Sequence, residues 1–428
     1  MDPASLPPGP SAGALTQGTL FQRDPLGVLR RCRARYGDVF TLRLPTMRHM
    51  VVVADPSAVG VITGADPVVA TTGAGRRRVL GIASPQSVLG ADQDRHRVAR
   101  QTVAPAFTPQ ALDPHRDAIS RLAGDHARRW PRGRPFRLLP RVKTLADDVF
   151  VRFVLGVADE RRAAALTLAI RHMLWSPGSP PLPIPSGDRG VLGVLGERLY
   201  RRRSAPVERL LHEELAARRA AGGAQDGALD VISCLLRADH PPRDDGEIVE
   251  EILPLLMAGQ EPAAIGLTWL LDRLARHPQV AARFTPAADP AHAAFVNETL
   301  RVRPAVHSIV RPLIAPLTVA GHELPAGAVL TLPIPLVHRD PRIFDAPDEF
   351  RPERFLDGPH PDAFVPFGGG ARRCLGQALA ELQMATIVPA ILDRLVLRPV
   401  SRRPERQIVR ATVLPPHRSA LVIARSRR

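Results

Sequence analysis

The sequence predicts a mainly α fold with a small β portion, built as one large domain. Three observations predict it. From about Thr102 to Ala220, apolar residues recur at three- and four-residue steps, the helical period. A second run, "RDDGEIVEEILPLLMAGQEPAAIGLTWLLDRLARHP" (Arg243 to Pro278), is the longest helical candidate. Strand-like patterns are confined to a few short pieces. The chain of 428 residues is long enough for a sizeable core. No repeat or linker-like break in composition divides it, so residues 1–428 are read as a single domain.

Composition narrows the function classes. Hydrophobic residues make up 45% and charged residues 23%, ordinary for a globular protein. The formal net charge is +16, carried almost wholly by arginine, since Lys143 is the single lysine. Such a balance raises nucleic-acid binding. However, the arginines are scattered, and aromatics for base stacking are only 4%. The clusters are "RRCRAR" (Arg30 to Arg35), "GRRR" (Arg76 to Arg78) and "RRR" (Arg201 to Arg203), and charge runs of this kind are usually solvated faces. No nucleic acid is expected; a basic surface docking an acidic protein partner fits better. Three cysteines, Cys32, Cys234 and Cys374, with no C-x-x-C, indicate neither a disulfide framework nor a zinc site. A reducing, cytoplasmic setting is expected. The N-terminal stretch lacks a long apolar run, so neither a signal peptide nor a membrane anchor is expected. Residues 1–20 read as an extended lead-in, stiffened by "LPPGP".

The elements follow in order. "DPLGVLRRCRARYGDVFTLRL" reads as a short helix, a turn at Gly37 and a strand. "HMVVVADPSAVGVIT" reads as a strand and a helix. "WSPGSPPLPIPSGDRG" (Trp175 to Gly190) interrupts the helical region with so much proline that a long irregular, binding-type loop is expected. In the longest helix, Asp244 and Glu247 form a capping-box pattern, and His277-Pro278 is the stop. Pro254 and Pro262 each remove a helix hydrogen bond, so kinks that open a groove are expected there. A shorter helix lies around "AHAAFVNETLRVRP". Strand-like pieces follow in "TVAGHELPAGAVLTLPIPL", then proline-rich coil. "LGQALAELQMATIVPAILDRL" closes as a helix with Leu375, Leu379 and Leu382 on one face.

Between coil and last helix stands "PFGGGARRCLGQ" (Pro366 to Gln377). A lone cysteine is ordinarily an inert buried thiol. Here Gly368, Gly369 and Gly370 permit a tight loop that can approach a flat ligand closely. Cys374 is placed at the start of a helix, where unpaired N–H groups and the helix dipole stabilise a thiolate. A thiolate binds iron. Gly376 leaves room beside a bulky ring, and Arg372 can reach an anionic group on it.

With those residues in view, the run from Phe367 to Gly376 resembles the haem-binding signature of the cytochrome P-450 haem-thiolate monooxygenases, soluble bacterial type. The pattern F-G-x-G-x-R-x-C-x-G is met at every fixed position. The resemblance implies a cytochrome P-450 fold and haem b with Cys374 as axial iron ligand, its thiolate favouring O–O cleavage. It places Phe367, Gly368, Gly376 and Arg372 at the cofactor. Further motifs occur in the family's order along nearly the whole chain. Glu298 and Arg301 match an E-x-x-R pair, and Arg354 in "FRPERF" completes a structural network. "DRHRVARQTVAPAF" resembles the H-x-x-x-R helix; His96 and Arg100 share a face and are implied propionate contacts. Arg311 in "HSIVRPL" matches a strand arginine of the same role. Several cations around two carboxylates give charge-assisted pairing.

The long helix departs from the family's A/G-G-x-D/E-T-T stretch. It reads Ala258-Gly259-Gln260-Glu261-Pro262-Ala263. The resemblance makes Ala258, Gly259 and Glu261 the catalytic segment, Glu261 serving the proton route. The threonine that helps deliver protons is Pro262 here, and Ala263 offers no hydroxyl either. One reading keeps O2-dependent monooxygenation, with substrate or water supplying the hydroxyl. The other is a peroxide-driven or otherwise non-standard haem-thiolate enzyme. Known peroxide users pair the proline with arginine, whereas Glu261 stands here, which favours the O2 reading.

Substrate-facing segments implied by the family are about Gly81 to Gly90, Trp175 to Gly190, the long helix and the stretch before Arg311. Pocket candidates are Ala263, Val306, Ser308, Ile309 and Val310, mostly small and apolar. The expected activity is insertion of one oxygen atom from O2 into a small lipophilic substrate of secondary metabolism. No flavin or nicotinamide fingerprint is present, so electrons come from a separate ferredoxin and reductase. The partner would meet the basic face near Arg373. A non-catalytic haem or lipophile binder is the rival from another class.

Overall fold

The structure is a computed structural model that describes residues 6–45, 49–80, 84–174, 191–224, 227–238, 244–281, 290–356 and 360–427. The proline-rich stretch 175–190 and residues 81–83 of the Gly81–Gly90 segment lie outside the described residues. Helices dominate, and the strands are short.

The lead-in is shorter than residues 1–20. Pro7 and Pro8 carbonyls accept from the Thr41 hydroxyl and N–H, laying this stretch along the first strand. Helix α1 then begins at Ala14 (Ala14–Arg23). Proline stiffness ends at Pro10. Gln17 pins the helix start by donating to the carbonyls of Pro10 and Ala12, and Phe21 buries its inner face. Helix α2 (Pro25–Tyr36) starts with Pro at its first position under an Asp24 cap and ends at Gly37, whose φ of 86° suits glycine.

Strands β1 (Val39–Leu42) and β2 (Met50–Val53) pair antiparallel. Helix α3 (Val59–Gly64) and helix α4 (Thr72–Leu80) follow. Next come α5 (Gln93–Val103), α6 (Arg116–Arg128), α7 (Leu138–Val149), α8 (Glu160–Leu174) and α9 (Val191–Ala220). A short strand, β3 (Pro135–Arg137), interrupts this helical region.

Helix α10 (Asp245–Arg276) is the central element. Its capping box forms as the residues dictate: Asp244 accepts from the Glu247 N–H at 2.8 Å, and Glu247 from the Asp244 N–H at 3.4 Å. The helix is continuous through Pro254 and Pro262, which lie inside it. Residues on either side, Ile248, Val249 and Glu251 to Leu256, and Ala264 to Leu274, are buried by the surrounding elements, and that packing supports the helix. Helix α11 (Pro290–Val302) and strands β4 (Ser308–Pro312), β5 (Leu317–Val319), β6 (His322–Leu324) and β7 (Val329–Pro333) come next. The last helix is α12 (Gln377–Leu392).

The four-stranded sheet has the order β1-β2-β7-β4, with β2 parallel to β7 and β4 antiparallel to it. Arg311 stands opposite Leu330 in that register. Two more strands, β8 (Leu395–Pro399) and β9 (Leu421–Ser426), join β3 in a sheet of order β3-β9-β8. The main hydrophobic core lies between α10 and the helices around it; a second core fills the face of the larger sheet that carries Ile309 and Leu330.

Candidate active site

Cys374 lies two residues before the Gly376 cap of α12, not in the helix itself. Its own N–H donates to the Phe367 carbonyl at 2.8 Å, which closes the loop. Burial raises the thiol's pKa above its ordinary value, and the Gly376 N–H and the charges of Arg100 and Arg76 offset only part of that rise. The groups that favour the thiolate are thus one loop N–H and two guanidinium groups. Despite that enclosure the Cys374 side chain is exposed, so it faces open space inside the fold.

The glycines divide the work. Gly370 has φ 63°, and a Cβ there would stand 2.2 Å from the Thr63 carbonyl oxygen. A Cβ at Gly369 would meet the Thr63 side chain at 2.9 Å. These two dock the loop on α3 rather than on a ligand. A Cβ at Gly368, where φ is 71°, or at Gly376 would have nothing within 4 Å, so both positions border free space.

The central helix carries an exposed window of its own. Within α10, Ala258 and Gly259 are exposed and Ala263 is half-buried, although the helix is buried on both sides of them. Glu261 stands beside this window. Lys143 of α7 donates to its Oε1 at 2.9 Å, and Arg410 Nη1 lies 4.0 Å from the same oxygen. Neither Pro262 nor Ala263 brings a hydroxyl, and Thr268 Oγ1 is spent on the Ala264 carbonyl at 2.7 Å.

At the other edge cations gather. Arg372 is fully enclosed; its Nε meets Asp66 at 3.0 Å, each side chain 1% exposed. Its Nη2 meets Asp92 at 2.9 Å and the Ala91 carbonyl at 2.9 Å. Its Nη1 has no partner among the described residues. Burial drives the Asp66 carboxyl up, but Thr72 and Arg372 outweigh it and hold the group below its ordinary value. Arg311 is buried, its Nη1 on the Val310 carbonyl at 3.1 Å and its Nε without a partner among the described residues; burial lowers its pKa to about 10. Burial, then Arg372 and Arg100, push His96 down to about 4, so it is a neutral imidazole at neutral pH. Arg100 and Arg76 complete the group; burial lowers both.

This donor set fits a flat dianion with an iron centre. Five guanidinium groups, those of Arg76, Arg77, Arg100, Arg311 and Arg372, stand against the carboxylates of Asp66 and Asp92, so the cluster carries excess positive charge. Orphaned Arg311 Nε and Arg372 Nη1, the space above Gly368 and Gly376 and the accessible thiol agree with it.

Glu298, Arg301 and Arg354 come together away from solvent. Arg301 clasps Glu298 with Nε–Oε2 at 2.7 Å and Nη2–Oε1 at 2.8 Å, and Arg354 Nε lies 3.2 Å from Oε2. Arg301 also donates to the carbonyls of His338, Pro347 and Glu349, tying α11 to the coil that follows.

Among the pocket residues, Val306, Ser308 and Val310 keep half-buried side chains. Ile309 is buried with Val51, Leu332 and Val365, on the strand face it shares with Arg311. Two contributors do not announce themselves in the sequence. Arg76 belongs to a "GRRR" run that reads as a solvated face; its place four residues after Thr72, on one helix face, is the available signal. Lys143 stands out only as the one lysine among arginines.

The sequence profile described as Cytochrome P450 matches residues 3–289 and 290–422. Cytochrome P450 135B1 of Mycobacterium tuberculosis is 34% identical over 451 residues, covering 99% of this chain and 92% of that protein. Cytochrome P450 135A1 of the same organism is 32% identical over 436 residues, covering 99% and 96%. Among solved structures, retinoic acid-bound cyanobacterial CYP120A1 superposes with a TM-score of 0.81 at 21% identity, covering 99% of both chains. A cytochrome P450DA haem domain gives 0.78 at 21%, covering 99% of this chain and 96% of that one.

Proposed function

The chain belongs to the cytochrome P450 family, and from that premise we propose that Cys374 ligates its haem and that the enzyme inserts one atom of O2 into a small lipophilic substrate. The family binds haem through a cysteine thiolate and carries out monooxygenation. The carrying observation is the accessible Cys374 thiol, which feels the charges of Arg100 and Arg76, in a fold whose central helix is exposed at Ala258 and Gly259.

When bound, the haem supplies oxygen activation. The chain supplies the rest. The Gly376 N–H, Arg100 and Arg76 favour the thiolate form of Cys374 against the opposing effect of burial. His96, Arg100, Arg311 and the free Nη1 of Arg372 are placed to receive two propionates. Ala258, Gly259, Ala263 and Val306 present small apolar surface to the substrate. Glu261 is the acid nearest the window, held by Lys143, and is the group to pass protons inward. With Thr268 turned onto its own helix, the hydroxyl that completes the route comes from water or substrate.

Electrons come from a separate ferredoxin-type partner. Arg373 is exposed beside Cys374, its Nε donating to Gln377 at 2.8 Å, and a basic surface attracts an acidic partner. Among the described residues no helix is long and apolar enough to cross a membrane. We place the enzyme in the cytoplasm and its substrate in secondary metabolism.

A peroxide-driven reaction is the second reading, favoured by the hydroxyl-free Pro262–Ala263 pair. The test supplies one candidate lipophile with ferredoxin, reductase and NADPH, or with hydrogen peroxide alone, and reads products by mass spectrometry. One added oxygen with the reductase system only supports the proposal. Product with peroxide alone replaces it with the second reading. Binding without product under either oxidant leaves a non-catalytic binder.

A further inference from the structure

We propose that Arg76 binds a haem propionate, and that Arg372 chiefly cross-links α4 to the Cys374 loop; this rests on the haem-binding reading above. The argument begins with α4. Its first turn is clamped by two carboxylates. Asp66 accepts from the Thr72 N–H at 2.9 Å, and Asp92 accepts from the Gly73 and Ala74 N–H groups at 2.7 Å each. The same two carboxylates take the Nε and Nη2 of Arg372. Gly73 lies against the Gly90 and Ala91 carbonyls, where a Cβ would stand 2.5 and 2.3 Å away, and Gly75 lies against Pro312 of β4. The helix is thus seated on the loop, on the strand that carries Arg311, and on the segment before α5.

Arg76 is one turn beyond Thr72, on the same face, above the Asp66–Arg372 pair. It is half-buried and has no hydrogen bond or ion pair among the described residues. Arg372 and Arg311 repel it, and Asp66 and Cys374 attract it. A guanidinium withdrawn from water without an acceptor, next to two like charges, is costly. Both carboxylates within reach are already engaged by Arg372 and by helix N–H groups. Arg372 in turn has spent two of its three nitrogens. The cluster holds more guanidinium groups than carboxylates, so it attracts a further anion, and a planar fork suits a carboxylate.

The experiment uses the purified ferric holoprotein. A thiolate-type carbon monoxide spectrum of the reduced wild type tests the haem reading first; its absence removes that reading independently of Arg76. Haem release to excess apomyoglobin and the propionate bending band in resonance Raman are then compared among wild type, R76A and R76K. Exposed Arg97→Ala serves as a control with wild-type behaviour. R76A releases haem about tenfold faster, the loss of one charge-assisted hydrogen bond, and its propionate band moves. R76K releases more slowly than R76A, with a smaller band shift. Wild-type values in R76A overturn the proposal. Faster release with an unmoved band also overturns it, since Arg76 then only stiffens α4. If R76A does not hold haem, R76K decides: a shifted band supports the contact, and an unmoved band overturns it. A free anion as the acceptor would show as phosphate raising the melting temperature of wild type but not R76A, with the band unmoved, and that too overturns the proposal.

Discussion

Lys143 Nζ lies 2.9 Å from Glu261 Oε1, so the single lysine of the chain holds the acid that flanks the open window of the central helix. The lysine side chain is 12% exposed and the carboxylate 29%, so the pair is only partly screened by water. Lys143→Met leaves Glu261 with Arg410 at 4.0 Å. Stability is expected to fall by about 1 kcal/mol, read by urea denaturation. With an accepted substrate, product formed per electron consumed falls several-fold while substrate affinity holds. Lys143→Arg restores most of both. Unchanged electron coupling in Lys143→Met would remove Glu261 from the proton route.

One turn along the same helix, Asp147 is buried, and that burial raises its pKa to about 7 against the pull of Lys143 and Arg171. The folded state thus keeps a proton that the unfolded chain gives up near pH 4. The sign follows: this group costs nothing below pH 4, and its cost grows with pH until about 7, where it levels off. Its full size is on the order of 4 kcal/mol. Asp147→Asn removes the cost. The melting temperature of the variant should exceed that of wild type most at pH 8, less at pH 5, and not at all at pH 4. A constant difference across that range would refute the burial account.

Glu298 and Arg301 are both fully enclosed, and Arg354 and the Arg351 N–H share the same carboxylate. Removing one partner strands a buried charge. Glu298→Ala should therefore cost about 3–5 kcal/mol, enough to deplete soluble haem-loaded protein at 37 °C. A denaturation midpoint equal to wild type would show that the network is dispensable.

The loop glycines separate backbone need from ring clearance. Gly370→Ala meets the Thr63 carbonyl and a positive φ, so it should destabilise the fold even before haem is considered. Gly376 has φ −85° and open space, so Gly376→Ala should keep the fold's circular dichroism and instead weaken haem retention. Equal haem retention in Gly376→Ala and wild type would mean that no ring lies above Gly376.

Cys374→Ser should abolish the thiolate-type carbon monoxide spectrum of the reduced protein. An unchanged spectrum would end the assignment of Cys374 as ligand.

Much of the architecture is legible locally. The helical period across Arg243–Pro278 and its Asp244–Glu247 box name a helix and its start, because a capping box is made by residues three apart. Gly37 and the short strands around it are legible for the same reason. The family match at Phe367–Gly376 names the ligand candidate, and the E-x-x-R spacing names a pair on one helical turn. What the sequence by itself determined, then, were features whose partners lie within a few residues, together with a motif dense enough to identify the family. The tertiary structure alone decided the rest. It draws strand β3 out of the helical region because its partner β9 lies near the other end of the chain. It moves Ile309 into the sheet's core and turns Gly369 and Gly370 toward Thr63. It joins Asp66 to Arg372 and Lys143 to Glu261 across long stretches of chain. Burial, charge balance and close approach are properties of such long-range neighbours, and no local spacing encodes them.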